Sequence, residues 1–211
     1  SAASDVYKRQ LLVSALFTVA VALSNTFVNV FLWKLKKDYV VIGWFNFYQY
    51  LAMMIIFILA GKMAKIIDRI VLLRLGVGSS ALFYLIVLLL GTSSVEKYII
   101  LGLVLGIGQG FYWFSFNLLY FEITEPENRD VFNGWNGLMT SSGGIIAPFL
   151  SGWIITHQSG FTGYKIIFFI SFVIFFAAVL VSFLFYQRTY HGKYVLTKVL
   201  LQAKTNLGWR N

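Results

Sequence analysis

The sequence predicts an all-α membrane protein, and three observations carry this prediction. Six long apolar stretches fill most of the 211 residues, 59% of the residues are hydrophobic, and only 12% are charged. A helix needs roughly 20 residues to cross the hydrocarbon core of a bilayer, and each stretch is about that long. Because lipid offers no hydrogen-bond partners, each stretch has to satisfy its own backbone as a helix. The stretches cover residues 11–33, 39–60, 70–92, 98–121, 132–156 and 164–186.

Amide side chains recur on one side of the first two predicted helices. Asn25 and Asn29 are spaced by four residues in the first helix, which places them on one face. The second helix carries Asn46 and Gln49 at a spacing of three. Lipid-facing helices have no use for such groups, so we expect these amides to line a substrate cavity or to join neighbouring helices.

The third and sixth predicted helices lack such a stripe. The third has glycine and serine near its start, and the sixth is dominated by phenylalanine. We expect both to be outer supports that face lipid and their neighbours. The order of striped and plain helices is then the same in residues 11–92 and 98–186. This indicates a 3+3 repeat, which has to be inverted because three crossings bring the chain to the opposite side of the membrane.

The fourth predicted helix carries two stripes, one of small and one of polar or aromatic residues, each with a four-residue period. The small stripe favours close helix packing, and the polar stripe favours a place in the cavity. An indole in such a stripe is suited either to stacking on a flat or cationic solute or to packing in the core. The two stripes consist of Gly102, Gly106 and Gly110, and of Gln109, Trp113 and Asn117.

The fifth predicted helix places Asn136 and Thr140 on one side, together with small residues. These two side chains complete the predicted substrate cavity, whose other members come from the first, second and fourth helices. The sixth helix contributes none.

The net charge of +9 does not indicate a nucleic-acid partner, because the basic residues lie in the gaps between apolar stretches. Twelve of the 17 Lys and Arg residues fall on the side of the membrane that holds both termini. This bias predicts cytoplasmic N- and C-termini in a cell (plasma) membrane. The cluster Lys34, Lys36 and Lys37 falls on the opposite side and argues against that orientation.

The residue content favours neither an enzyme nor a metalloprotein. The chain has no cysteine and two histidines, His157 and His191, which lie outside the apolar stretches. We find no catalytic motif and expect no metal site and no cofactor. A channel or a structural membrane subunit stays open as an alternative, although the sequence lacks a repeated selectivity loop or a charged ring.

A pattern of small residues in the fifth helix resembles that of exporters in the major facilitator superfamily. Their pattern is Gly, eight residues, Gly, three residues, Gly-Pro, two residues and Gly-Gly. Here both single glycines match, whereas alanine and serine replace one glycine in each pair. The positions are Gly134, Gly143, Ala147, Pro148, Ser151 and Gly152. Small residues permit close packing, and a proline removes one backbone hydrogen bond and bends a helix.

Two further segments resemble the same superfamily. Between the second and third helices, Gly61 and the Asp68–Arg69 pair resemble a Gly-x-x-x-Asp-Arg loop, provided that three residues are inserted. Without the insertion, Lys65 stands where the acidic residue belongs. The segment 163–168 resembles the Gly-Trp-Arg-x-x-Phe that often precedes the sixth helix of these proteins.

The resemblance implies half of a twelve-helix transporter. Residues 11–188 would form the N-terminal six-helix half, with a small organic solute bound between it and a C-terminal half that this chain lacks. The drug/antiporter-like pattern implies efflux by alternating access. Uptake of a sugar or another neutral solute is the alternative, because amides suit such substrates as well.

The resemblance also implies roles for charged residues near the membrane surface. The six apolar stretches contain no deep carboxylate, so a coupling proton would be carried by Glu122 or by the missing half. Arg129 and Asp130 would form ion pairs that hold one state closed. We further expect residues 1–10 to be a non-native or disordered leader. Residues 189–211 would be a truncated central loop with an interfacial helix, so the chain would be a fragment.

Overall fold

The structure is a computed structural model that describes residues 2–124 and 126–184, with side chains for residues 8–122, 124 and 129–184. The described residues form helices and turns and contain no β-strand. The predicted C-terminal segment 189–211 lies outside the described residues, whereas helix already begins within the predicted leader. The helices are α1 (Ala2–Lys36), α2 (Tyr39–Met63), α3 (Arg69–Leu90), α4 (Tyr98–Ile123), α5 (Pro126–His157) and α6 (Thr162–Ser182), with a 3₁₀ helix at Gly91–Lys97.

Aspartates and a glycine set the ends of the central helices. Asp38 and Asp68 accept hydrogen bonds from the backbone N–H groups of Val40 and Ile70, which caps the N-termini of α2 and α3. At the other end of α3, Gly91 has a φ of 54°, a conformation that glycine adopts without a steric penalty. The chain turns there into the 3₁₀ helix, which leads into α4.

The helices pack as two groups of three. α4 lies between α2 and α3, and α1 lies between α5 and α6. α3 and α6 join the two groups at the back of the bundle, while α1 and α4 meet in the middle. α2 and α5 are therefore the flanks of one face, with parts of α1 and α4 between them.

Aromatic rings fill the region where the two groups meet. Phe17 of α1 stacks on Tyr112 of α4 and meets Phe175 of α6 edge to face, at centroid distances of 3.3 and 5.4 Å. Tyr84 of α3 stacks on Phe175 and accepts a hydrogen bond of 2.6 Å from Ser24. Rings of this size bury much apolar surface, and the edge-to-face geometry adds about 0.5–1.5 kcal/mol per pair.

Five helical stretches of the described residues are long and apolar enough to cross a membrane. The third of them, Arg69–Glu122, has 54 residues and contains α3, the 3₁₀ helix and α4. The all-α character and the presence of several apolar helices, both predicted from the sequence, are thereby confirmed for the described part of the chain.

Candidate functional site

α2 crosses α4 at an angle and leaves part of it uncovered. Gly102 of α4 lies against the backbone of α2, whereas twelve residues later the ring of Phe114 lies beside Gly61. At about 100° per residue, the contact has moved roughly 120° around α4. The surface that carries Trp113 and Asn117 is therefore exposed, between the flanks α2 and α5. We call this surface the open face.

The small stripe of α4 is a seam between backbones. A Cβ atom on Gly102 or Gly106 would collide with the carbonyl oxygens of Phe45 or Gln49 on α2. On Gly110 it would come within 2.8 Å of the Ile56 Cβ. Only glycine permits this approach, so the stripe serves helix packing, as small residues commonly do in membrane helices.

A pair of buried amides bridges the same two helices. The Gln49 side-chain nitrogen donates to the Gln109 oxygen at 2.9 Å, and the two residues are only 2% and 8% exposed. The Gln49 Oε1 is buried and has no hydrogen-bond partner in the part of the chain that the structure describes. These two predicted cavity residues thus lie between α2 and α4 and are withdrawn from the open face.

A second pair of amides joins α2 to α1. Asn46 donates to the Asn29 oxygen and to the backbone oxygen of Ile42, both at 2.8 Å. Asn29 in turn donates to the backbone oxygen of Asn25 at 3.4 Å. These three predicted cavity residues are half-buried, so they border the open face while binding each other.

α5 is held to α1 by side-chain hydrogen bonds. Ser14 donates to the Asn136 oxygen at 2.8 Å, and Ser151 donates to the backbone oxygen of Leu23 at 2.7 Å. Thr140 is exposed, and its hydroxyl donates a hydrogen bond to the Asn136 backbone oxygen at 2.7 Å. α5 therefore contributes to the open face a half-buried amide and a hydroxyl whose proton is already donated.

The indole of Trp113 is fixed on the open face by three rings. Phe17, Tyr112 and Phe116 meet it edge to face at centroid distances of 6.3, 5.2 and 5.9 Å. Trp113 nevertheless keeps 39% of its surface exposed. Asn117, one turn further on, is also exposed and donates to the Trp113 backbone oxygen at 2.8 Å.

One end of the bundle carries the predicted gating residues. Arg69, at the start of α3, forms an ion pair of 2.8 Å with Glu122, near the end of α4, and the two side chains are 7% and 29% exposed. Arg129 of α5 donates to the Thr124 backbone oxygen at 3.2 Å. Its guanidinium also lies 5.3 Å from the ring centre of Phe121. These contacts tie the ends of α3, α4 and α5 together, while Asp130 is exposed.

The small-residue pattern of α5 is divided between two sides of the helix. Gly143, Ala147 and Ser151 are buried, and Gly143 lies against Val19 of α1. A methyl group added at Gly134 or Gly152 would meet no neighbouring helix or side chain within 4 Å, among the residues that the structure describes. Pro148 is accommodated within the continuous helix α5.

Sequence reasoning assigned no role in the site to three residues that shape it. Phe17 holds Trp113, and Gly108 and Gly76 bring the backbones of α4 and α3 together. Phe17 lies roughly 80° and 120° around α1 from Asn25 and Asn29, so the amide stripe gives no signal for it. Gly108 lies on a different side of α4 from the small stripe. Small residues on that second side of the helix would also have predicted close packing.

Comparison with known families gives the context for this bundle. The sequence matches the family model described as Major Facilitator Superfamily over residues 12–207. The chain belongs to the Major Facilitator Superfamily. The resemblance read from the fifth helix and the loop at 61–69 is thereby confirmed at the level of the superfamily. Its members are membrane transporters and not enzymes, and this member is accordingly a multi-pass membrane protein.

Two bacterial relatives are similar over most of the chain, and neither is characterised. One is the uncharacterized protein YqgE of Bacillus subtilis (strain 168), 44% identical over 200 residues, which are 95% of this chain and 46% of that protein. The other is an uncharacterized protein encoded in the sodM 3′ region of Geobacillus stearothermophilus. It is 46% identical over 158 residues, which are 75% of this chain and 74% of that protein. The chain thus spans a little under half of the B. subtilis relative.

Proposed function

We propose that this chain is the N-terminal six-helix half of a secondary transporter that moves a small organic solute across the plasma membrane by alternating access, in the direction of efflux. The observation that carries the proposal is the open face. Helices of the two groups meet there at an exposed indole bordered by amides. In a membrane-embedded bundle such a face is suited to a passage between this half and a partner half.

The pattern of helix packing supports six spans arranged as an inverted 3+3 repeat. Exchanging α1 with α4, α2 with α5 and α3 with α6 turns the α2–α4 contact into α5–α1, and the α3–α4 contact into α6–α1. The α3–α6 and α1–α4 contacts map onto themselves, whereas the smaller α5–α6 and α1–α2 contacts have no counterpart of similar extent among the described residues. A 54-residue stretch is much longer than one span of roughly 20 residues requires, so we count α3 and α4 as separate spans.

The outer side of α5 supports a helical partner half. At about 100° per residue, Gly134, Gly137, Gly144, Pro148 and Gly152 fall within roughly 80° of arc. A glycine inside a helix costs about 0.5–1 kcal/mol relative to alanine, so an uncovered row of them is unfavourable unless another backbone packs on it. The B. subtilis relative is more than twice as long as the matched segment, which leaves room for such a half.

Charge and the contacts at one end of the bundle support the proposed orientation. Arg69, Glu122 and Arg129 lie at the end that we assign to the cytoplasm, where most Lys and Arg residues fall. Lys34 belongs to the cluster that opposes this rule, and its ammonium lies 5.3 Å from the ring centre of Tyr164. We propose that protons are the coupling ion and that Glu122, whose carboxylate lies 2.8 Å from the Arg69 guanidinium, carries them at this end of the bundle.

Transport by the full-length protein in proteoliposomes tests the proposal. A pH gradient should drive methyltriphenylphosphonium against its concentration gradient, and Pro148→Leu should slow it severalfold at equal membrane insertion, because leucine restores the backbone hydrogen bond that proline removes and stiffens α5. Uptake of labelled glucose in the opposite direction would favour the permease alternative instead. Movement of both solutes at the rate of protein-free liposomes would contradict the transporter proposal.

A further inference from the structure

We propose that the junction of α1 and α6, at the end of the bundle opposite the Arg69–Glu122 pair, binds an anionic phospholipid, with the phosphate at Lys34 and Lys165 and an acyl chain along α6. The inference goes beyond the proposed function. It requires a chain that spans a membrane, and it depends neither on the solute nor on the direction of transport. With both termini in the cytoplasm, the bound lipid belongs to the outer leaflet.

Two lysines flank a buried tyrosine where α1 ends and α6 begins. The Lys34 ammonium lies 5.3 Å from the ring centre of Tyr164, and Lys165 is the next residue of α6. Tyr164 is 1% exposed, and its ring contacts those of Phe31 and Phe161 at centroid distances of 5.5 and 6.3 Å. Both lysines are exposed. The tyrosine thus keeps the Lys34 side chain beside the first turn of α6, where Lys165 adds a second positive charge.

No carboxylate of the described residues balances these two charges. The tyrosine ring is neutral, and neither lysine forms an ion pair within the part of the chain that the structure describes. The carboxylates of this end, Asp38 and Glu96, lie at the start of α2 and in the 3₁₀ helix. They are outnumbered by the lysines of the same end, which are Lys34, Lys36, Lys37, Lys97 and Lys165. Uncompensated cations at a membrane surface attract anionic headgroups.

An exposed apolar stripe runs along α6 from Lys165. At about 100° per residue, its members fall with Lys165 within roughly 80° of arc. Each is 45–56% exposed, since α6 packs on α1, α3 and α5 with its other sides. In a bilayer this stripe contacts acyl chains, while the lysine stem lies along them and its ammonium reaches the headgroups. The stripe consists of Phe169, Val173, Phe176 and Leu180.

The lysines and the stripe together select one class of ligand. A soluble anion would pair with the lysines and leave the stripe unused. A zwitterionic phospholipid would cover the stripe, but it brings a cation of its own that is repelled by the lysines. An anionic phospholipid suits both parts. Such a partner also accounts for Lys34, which belongs to the cluster that opposes the charge bias of the chain.

Fluorescence quenching in proteoliposomes of the full-length protein tests the inference. A bimane label attached through Phe169→Cys, in a protein otherwise free of cysteine, reports the lipid beside α6. The probes are phosphatidylglycerol and phosphatidylcholine with the same brominated acyl chains, titrated into unbrominated phosphatidylcholine. The anionic probe should associate at least tenfold more strongly. Lys34→Gln and Lys165→Gln should each remove roughly fivefold of this preference. Arginine at both positions should preserve it, which separates the charge from a folding defect.

Lys97→Gln is the matched control. It removes an exposed lysine from the same end of the bundle, but at the start of α4, which belongs to the other group of helices. The preference for phosphatidylglycerol should be unchanged in this variant. Inorganic phosphate should reduce it no more than sodium chloride of equal ionic strength does.

Five outcomes would each overturn the inference. They are equal quenching by the two lipids, an undiminished preference when both lysines are glutamine, its loss when both are arginine, the same loss in Lys97→Gln, and displacement of the lipid by inorganic phosphate. The fourth would indicate a diffuse surface potential in place of a site, and the fifth a site for a free anion. None of them bears on transport, which the gradient-driven assay measures separately.

Discussion

An amide side chain has a donating and an accepting end, and its role depends on which neighbour each end meets. Gln109 and Trp113 belong to one stripe of α4, yet Gln109 is buried against Gln49 and Trp113 is exposed. The difference arises because the contact with α2 moves around α4 between Gly102 and Phe114, so that α2 covers Gln109 and leaves Trp113 exposed. Helical periodicity predicts the face of a residue, but the crossing angle of a neighbouring helix decides whether that face is covered.

The Gln49–Gln109 pair should contribute to stability through a coupled hydrogen bond. Gln49→Leu and Gln109→Leu should each destabilise the protein by about 1 kcal/mol, because each leaves the other amide without its partner inside the bundle. The double variant should lose less than the sum of the single losses. Thermal unfolding of all four forms in detergent measures the coupling, and additive losses would show that the bond contributes nothing.

The ion pair between Arg69 and Glu122 should matter for both stability and transport. Arg69→Gln should cost about 2 kcal/mol, since it leaves a half-covered carboxylate without its guanidinium. Glu122→Gln should have the larger effect, because it removes the carboxylate from the guanidinium of Arg69, whose side chain is only 7% exposed. The exchanged variant Arg69→Glu with Glu122→Arg should recover part of the lost transport in proteoliposomes. No recovery would indicate that Arg69 acts through other contacts.

At the scale of helices, packing through glycine divides the bundle into a tight part and a loose part. α4 meets α2 at Gly102 and Gly106 and meets α3 at Gly108, with backbone against backbone. By contrast, the built Cβ of Gly143 on α5 lies 3.5 Å from the side chain of Val19, which is an ordinary contact. The four-residue period on α4 predicted close packing. It did not identify α2 as the partner, because a periodic stripe does not specify what packs on it.

Gly106→Ala is the sharpest test of the tight seam. The added methyl group would overlap the Gln49 backbone oxygen and lie 2.8 Å from the Ala52 Cβ, so α2 has to move away. We expect a destabilisation of about 1–3 kcal/mol, as for other overpacked sites. Gly78→Ala is the control, since nothing described lies within 4 Å of its built Cβ, and it should be neutral or stabilising. Similar unfolding temperatures for the two variants would contradict the seam.

At the scale of the whole molecule, membership of the superfamily and the multi-pass, all-α character could be predicted from the sequence. Length and hydropathy decide where a chain can cross a bilayer, and the spacing of Gly134, Gly143 and Pro148 identified the family. Helical periodicity already separates Gly134 from Gly143, but which side of α5 is buried could not be predicted. It depends on where α1 packs, and side-chain contacts such as Ser14–Asn136 determine that position.

The outer side of α5 yields a prediction about the complete transporter. Gly144→Leu places a large side chain where the described residues leave open space, so the bundle itself should tolerate it. If a second half packs there, the variant should slow transport in proteoliposomes severalfold and lower the unfolding temperature of the full-length protein. Gly78→Leu, also in open space but at the back of the bundle, should leave both unchanged. Identical behaviour of the two variants would argue against a partner on α5.

Direct main-chain contact on both sides of α4 has a mechanical consequence. Helices separated by long side chains can shift relative to one another as those side chains change rotamer. Helices in direct backbone contact have no side chains between them that could adjust in this way. We therefore expect α2, α3 and α4 to move as one rigid body during transport. They would rotate relative to α1, where Ser24 donates a hydrogen bond to Tyr84 of α3. Amide protons along 102–110 should accordingly be among the last to exchange with deuterium, whichever way the transporter faces.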